Sequence, residues 1–223
     1  MKPPDPTAAE LGQRIRRLLT EETCASHPPE RPAPAETEKV HWCRVVMNRA
    51  VRQFVAGLPR HAMDVLEVSG SSWSDPAFGF RSYRSLAYPE YDLCAAPFAA
   101  EFCDLVILEQ VLEHVRRPHR AVANALAMLR PGGRLLVNTP FLLKVHPCPL
   151  DLYRWTEEGL YTLLEDAGFT AIATDSWGNR QCLAADMQPG MSWTYYDPAV
   201  HSLENERQFP IVVWAFAQKP GAR

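Results

Sequence analysis

The chain has 223 residues, 47% hydrophobic and 22% charged, enough for one well-buried domain with some decoration. Its formal net charge of -3 leaves no electrostatic footprint for nucleic acid or an anionic membrane surface. No apolar run reaches the roughly 20 residues of a membrane span, the start MKPPDPTAAE is not a signal peptide, and the six cysteines form no Cys-x-x-Cys pair. A cytoplasmic protein with reduced, packing cysteines and no metal is the expectation.

Thr7-Ala8-Ala9-Glu10 has the form of a capping box and opens a helix to about Leu19. From Cys24 to Thr37 prolines dominate, which reads as a linker or an extended arm. A second helix is expected over Glu38–Leu58, with Val46, Ala50, Val51, Phe54, Val55 and Leu58 at helical spacing. Its opposite stripe holds His41, Arg44, Asn48 and Arg52. That stripe is either a solvated face or the underside of a lid over a ligand crevice. Residues 1–60 thus form an N-terminal helical arm and lid, and 61–223 the core.

The core opens with a strand, Met63–Val68, and a turn of small residues, Ser69-Gly70-Ser71-Ser72. A turn of this kind lets a ligand approach the backbone closely. Ser82–Ala87 is a short second strand. Asp104–Leu108 and Arg134–Asn138 carry continuous apolar runs, as strands buried on both faces do. Each ends in polar residues, Glu109-Gln110 and Asn138-Thr139, at the sheet edge where α/β proteins bind ligands. Helices are expected over Gln110–Arg116 and His119–Leu129, with Pro118 in a first helical turn. Thr156 caps a helix that stops at Gly168. Phe169–Thr174 and Pro210–Gln218 are the last strands, Val212, Trp214 and Phe216 alternating with their neighbours. Between them, 178–209 is a long aromatic-rich insertion, read as a substrate lid.

Five motifs stand in a fixed order: Glu67-Val68-Ser69-Gly70-Ser71-Ser72-Trp73, Asp92-Leu93, Asp104-Leu105-Val106, Val111-Leu112-Glu113-His114 and Leu129-Arg130-Pro131-Gly132-Gly133. Arg154–Leu160 and Ala167-Gly168-Phe169 follow. In these residues, over about 62 to 175, the chain resembles the class I S-adenosylmethionine-dependent methyltransferases of the small-molecule branch. The resemblance implies an α/β, Rossmann-like, doubly wound, mostly parallel sheet of seven strands or slightly fewer, with an antiparallel last strand. It implies S-adenosylmethionine as cofactor and S-adenosylhomocysteine as product. Glu67, Ser69, Gly70, Ser71 and Trp73 would hold its methionine part, Asp92 and Leu93 would sit by the adenine, and Glu109 and Gln110 would lie beneath the sulfonium. Ser69, Ser71 and Trp73 stand where the family has glycines. Serine fits such a turn if its φ stays negative, and Trp73 is expected to pack on or cover the ligand. For the ribose hydroxyls Glu90 is the acidic candidate, with Ser85 or Tyr83 as substitutes.

Methyl transfer needs a nucleophile held in line, and an amine or hydroxyl acceptor calls for a base. His146, in the loop after the strand ending at Asn138, is the expected base, with Asp151 orienting it. His114, Tyr153, Arg154, Trp193, Tyr195 and Tyr196 are expected substrate contacts; His114 has a structural alternative, and Arg154 a surface pairing with Glu157 or Glu158. Aromatic faces beside carboxylates suit a sugar-like or cationic ligand. Glu109-Gln110-Val111-Leu112 stands where methyltransferases of base amino groups or glutamine amides carry Asn/Asp-Pro-Pro-aromatic. The chain most resembles enzymes tailoring sugars, including amino-sugar N-methyltransferases of aminoglycoside antibiotic biosynthesis. The expected partner is therefore a small amino sugar, with no nucleic acid and no membrane, in a chain that admits a homodimer. O-methylation of a sugar or other metabolite, or a methyltransferase-like binding protein with a dead cofactor site, are the alternatives.

Overall fold

Alternate residues of the central strands enter two different cores, and this sets the layers of the molecule. The computed structural model describes residues 39–189 and 193–222; the helix expected over 7–19 and the proline-rich stretch 24–37 lie outside them. Six strands form one sheet: β1 (Asp64–Val68), β2 (Ser82–Leu86), β3 (Cys103–Glu109), β4 (Leu129–Pro140), β5 (Thr170–Trp177) and β6 (Val212–Gln218). Their order is β2-β1-β3-β4-β6-β5. The first four pair in parallel, and β6 runs antiparallel between β4 and β5.

Val106, Leu108, Leu135 and Val137 face one core, closed by α2 (Pro118–Met128) and α3 (Glu157–Asp166). Leu105, Ile107 and Leu136 face the other. There α1 (Val45–Ala56) lays down Met47, Ala50, Val51 and Val55, and Phe54 stacks on Phe216 of β6 with ring centroids 3.9 Å apart. No α-helix intervenes between β1 and β2 or between β2 and β3, so α1, from before the first strand, covers that face. Burying both faces of a parallel sheet is the general solution for this class.

Local signals set several boundaries. Pro118 starts α2, and the Thr156 hydroxyl accepts from the Gly159 amide at 3.0 Å to cap α3. Gly168 ends α3 with φ +97°, a conformation that favours glycine. Elsewhere the structure corrects the expectations. No helix forms over Gln110–Arg116: Gln110 has φ +56°, and the chain makes turns until Pro118. The expected helix over Glu38–Leu58 shortens to α1, preceded by a 3-10 turn over Trp42–Arg44. Strand β4 begins at Leu129, taking in the Pro131-Gly132-Gly133 turn as an irregularity in its register with β3. The alternation in β6 does not separate core from solvent; Val212, Trp214 and Phe216 enter one core and Val213, Ala215 and Ala217 the other.

The 178–209 connection contains a helix, α4 (Arg180–Asp186), capped by Asn179, whose side chain accepts from the Cys182 amide. The connection also holds the entry to α1. Trp42 donates its amide to the Thr194 carbonyl and its indole N–H to the Ser202 carbonyl, and its ring stacks on His201 at 4.0 Å. Val40 accepts from the Tyr196 amide. Among the described residues no helix is long and apolar enough to cross a membrane.

Candidate functional site

In the sheet order, β2 and β3 lie on opposite sides of β1, so the connections diverge at the carboxyl end of β1 and leave a crevice there. The turn at that end is closed by Glu67, which is buried. Its Oε1 accepts from the Ser72 amide at 3.0 Å, and its Oε2 from the Trp73 amide at 3.1 Å and the Tyr83 hydroxyl at 2.6 Å. A Cβ on Gly70 would lie 2.3 Å from Glu67 Oε1, so this position takes glycine because the carboxylate folds back under it. Ser69 donates its amide to the Leu86 carbonyl at 2.7 Å, and its φ is +60°. The expectation of a negative φ is therefore corrected: serine stands here in the left-handed region, held by the ladder to β2. Ser69, Ser71 and Ser72 are exposed, and the amides of Gly70 and Ser71 donate to no acceptor among the described residues. Successive free amides at an exposed turn form a concavity that binds anions. A cofactor carboxylate fits this turn.

Trp73 is buried, tilted against Phe78, with its indole N–H 2.8 Å from Glu109 Oε2. Asn138 donates to Glu109 Oε1 and accepts from Gln110, both at 2.8 Å. Burial pushes the Glu109 carboxyl above its ordinary range, opposed by the Trp73 and Asn138 donors. Asn138 was visible in the sequence only as a polar strand end; the structure makes it the clamp joining Glu109 to Gln110.

A cavity of about 290 Å³ lies between this floor and α1. Ser72, Trp73, Phe78 and Glu109 line one side, and His41, Arg44, Asn48 and Arg52 the other. All four members of the polar stripe read from the sequence thus line the cavity. Burial and the nearby Arg44 charge lower the pKa of His41, against the pull of Asp186.

The loop after β4 brings a second group together. Asp151 Oδ2 accepts from the His146 amide at 2.8 Å and from Arg154 Nη2 at 2.7 Å, and a second Arg154–Asp151 bond completes a bidentate pair. The guanidinium holds Asp151 down to about 2. Arg154 therefore braces the loop through Asp151 rather than pairing with Glu157 or Glu158. Nδ1 of His146 lies 3.2 Å from the Lys144 carbonyl and 3.3 Å from Asp151 Oδ2. Burial lowers the His146 pKa, so its imidazole is neutral near pH 7. Its ring meets that of His114 edge-on at 5.3 Å and that of Trp193 at 5.7 Å. Trp193 in turn contacts His41, which stacks on Tyr195 at 4.9 Å. A line of rings thus joins the His146 loop to the cavity wall.

Other sequence candidates lie apart from this line. Asp92 is exposed, its carboxylate accepting from the Cys94 amide, and Leu93 is buried in the core beneath α2. Tyr153 donates to the Arg116 carbonyl at 3.3 Å, and Tyr196 packs on the second core. Tyr83 and Ser85, the substitutes considered for the ribose, are already engaged by Glu67 and by the Gly70 carbonyl, which leaves Glu90, exposed after β2. Glu113, read only as part of a motif, is buried; its Oε2 accepts from Thr139 at 3.2 Å, its Oε1 has no hydrogen-bond partner among the described residues, and burial raises its pKa.

Residues 73–137 match a family described as a methyltransferase domain. No curated protein sequence matches the chain. The fold is similar to that of the (4+2)-cyclase SpnF, at 18% identity and a TM-score of 0.53 over 98% of this chain and 99% of that one. It is also similar to a possible histamine N-methyltransferase of Thermotoga maritima (14% identity, TM-score 0.51, 76% of this chain and 87% of that one). A third neighbour is phosphoethanolamine N-methyltransferase 2 of Haemonchus contortus in complex with S-adenosyl-L-methionine (12%, TM-score 0.54, 78% and 52%). Residues 73–137 are thus similar to a methyltransferase domain, set in an α/β fold that the chain shares with these solved structures.

Proposed function

We propose that the protein transfers the methyl group of S-adenosylmethionine to a small molecule, and that the acceptor is the amine of an amino sugar. The observation that carries this reading is the cavity between α1 and the β1 turn, lined by Ser72, Trp73 and Glu109, next in sequence to the free Gly70 and Ser71 amides. S-adenosylmethionine, when bound, supplies an electrophilic methyl group on a sulfonium. The Gly70 and Ser71 amides would hold its carboxylate, Glu109 and Gln110 would face its sulfonium, and Asp92 with Leu93 would border the adenine. The cavity volume is that of a small-molecule site.

An ammonium must lose its proton before it attacks. Lys39, Arg44 and Arg52 line the cavity, and cations nearby lower the pKa of a bound amine. His146, neutral and fixed through Asp151, is the proton acceptor in this reading. One neighbour in fold is described as a possible histamine N-methyltransferase and another as a phosphoethanolamine N-methyltransferase, which makes amine acceptors compatible with it.

Calorimetry with S-adenosylhomocysteine tests the cofactor site directly. Saturable one-to-one binding is expected; no binding at millimolar concentration would reduce the chain to a methyltransferase-like binding protein. With the cofactor site intact, His146→Ala is expected to lower turnover of an amino-sugar acceptor by about 100-fold or more while S-adenosylhomocysteine affinity stays unchanged. Unchanged turnover removes His146 as the base.

Glu109→Gln separates the sulfonium from the rest of the cofactor. The amides of residues 109, 138 and 110 can turn over together, so the hydrogen-bonded chain survives while the charge goes. S-adenosylmethionine affinity should fall about tenfold, or 1.4 kcal/mol, while that of uncharged S-adenosylhomocysteine changes much less. Equal losses for the two ligands would mean that Glu109 does not face the sulfonium.

A further inference from the structure

We propose that Glu113, His114 and His146 form a binding site for one divalent transition-metal cation of the zinc class. One ligand atom from each lies within 4.8 Å of the others. The residues meet because the turns after β3 and the loop after β4 leave the same sheet edge, although they stand far apart in the chain.

Three observations point to a cation. First, Glu113 is fully buried and its Oε1, 3.6 Å from His114 Nε2, has no hydrogen-bond partner among the described residues. An unpaired buried carboxylate oxygen is costly, and a cation is one of the few groups that offset it. Second, both imidazoles are oriented as ligands are. His114 Nδ1 is at hydrogen-bond distance from the Leu150 carbonyl, and His146 Nδ1 faces the Lys144 carbonyl with Asp151 behind it. An Nδ1–H given to a carbonyl or carboxylate leaves the Nε2 lone pair for a metal, the usual outer arrangement of histidine sites. Third, Arg154, the nearby cation that would oppose a metal, is already neutralised by its bidentate pair with Asp151.

Two imidazole nitrogens and one carboxylate select zinc-class cations over magnesium or calcium, and three protein ligands leave positions open for a small molecule. Trp193 packs against His146 on the side that continues toward the cavity. An imidazole that ligates through Nε2 no longer accepts a proton there. In the loaded protein His146 is therefore a ligand; in the metal-free protein it is free to act as the base. Loss of turnover in His146→Ala fits both, so activity is not the readout.

The test uses the full chain, tag-free and stripped of metal, without cofactor or acceptor. Titration with Co²⁺ is followed by visible absorption, and Zn²⁺ is measured by competition. One equivalent is expected to bind. Glu113→Gln, His114→Gln and His146→Gln should each weaken binding about 100-fold or more, and Cys148→Ser should leave it unchanged. No binding of either cation near millimolar concentration overturns the site, as does binding indifferent to Glu113→Gln and His114→Gln. Should those variants fail to fold, X-ray absorption on the zinc-loaded wild-type chain decides: two imidazoles and no sulfur are expected, and a sulfur ligand overturns it. Binding of S-adenosylhomocysteine is scored separately, so either proposal can fail while the other stands.

Discussion

Gly70→Ala should destabilise the fold by about 2–3 kcal/mol and remove measurable S-adenosylhomocysteine binding. The added Cβ would lie 2.3 Å from Oε1 and 3.1 Å from the carboxyl carbon of Glu67. A flexible surface carboxylate would swing aside at little cost. This one is buried and held by three donors, the amides of Ser72 and Trp73 and the Tyr83 hydroxyl. Moving it strands buried donors at about 1–3 kcal/mol each, and charged hydrogen bonds sit toward the upper end. The alternative, opening the turn, displaces the Gly70 and Ser71 amides on which carboxylate binding depends. A double-mutant cycle makes the cause testable. In a Glu67→Ala background the obstacle is gone, and Gly70→Ala should then cost less than about 1 kcal/mol. Equal costs in the two backgrounds would place the constraint on Gly70 in its own backbone rather than in Glu67.

The same turn shows what a sequence can and cannot disclose. Glu67 and the small residues after it are local, and their order announces a ligand edge. That Ser69 adopts φ +60° is not local, because the conformation is fixed by the Leu86 carbonyl on the neighbouring strand. Caps were legible for the reason that the turn was: Thr156 and Pro118 act on residues three or fewer positions away. The stripe of His41, Arg44, Asn48 and Arg52 was legible as a stripe, but which surface it faces depends on where α1 docks, and periodicity carries no such information. Helix α4 is only seven residues long, with Asn179 as its only clear start signal, too short for hydrophobic periodicity to mark it. Asn138 and Glu113 were hardest. Their roles come from side chains on other elements, Glu109 and Gln110 for one, Thr139 and the two histidines for the other.

The site also explains why a sheet of six strands suffices. Between β2 and β3 the chain runs over 87–102 with no strand and no α-helix, yet Leu93 still plugs the core beneath α2. On the opposite face α1 closes the second core and lines the cavity with the side it does not bury. One helix thus serves as both packing layer and cavity wall. Stability of that face and access to the cavity are coupled through it, and the contacts of Trp42 with Thr194, Ser202 and His201 tie both to the 178–209 connection.

Trp73→Ala should cost about 3–5 kcal/mol, the range for truncating a buried tryptophan, and lower the melting temperature by about 10 °C or more. Trp73 is 3% exposed, packs on Phe78 and belongs to the core that α1 closes. The residue stands where a glycine would be expected from the resemblance, yet a smaller residue is not neutral here, because the indole is buried in the second core against Phe78. Its N–H contributes separately, as a donor to Glu109 Oε2 at 2.8 Å. Trp73→Phe keeps most of the ring and deletes that donor. It should cost about 1–3 kcal/mol and push the Glu109 pKa further up, because burial already raises it and one of the two opposing donors is gone. A carboxyl with a raised pKa favours its neutral form, so the phenylalanine variant should bind S-adenosylmethionine less tightly at pH 6 than at pH 8, and by a wider margin than the wild type. S-adenosylhomocysteine, lacking the sulfonium charge, should show little of that pH dependence. If phenylalanine and alanine are equally destabilising, the indole acts through its N–H alone; if phenylalanine is silent in both stability and pH dependence, the Glu109 hydrogen bond contributes nothing and Trp73 is packing only.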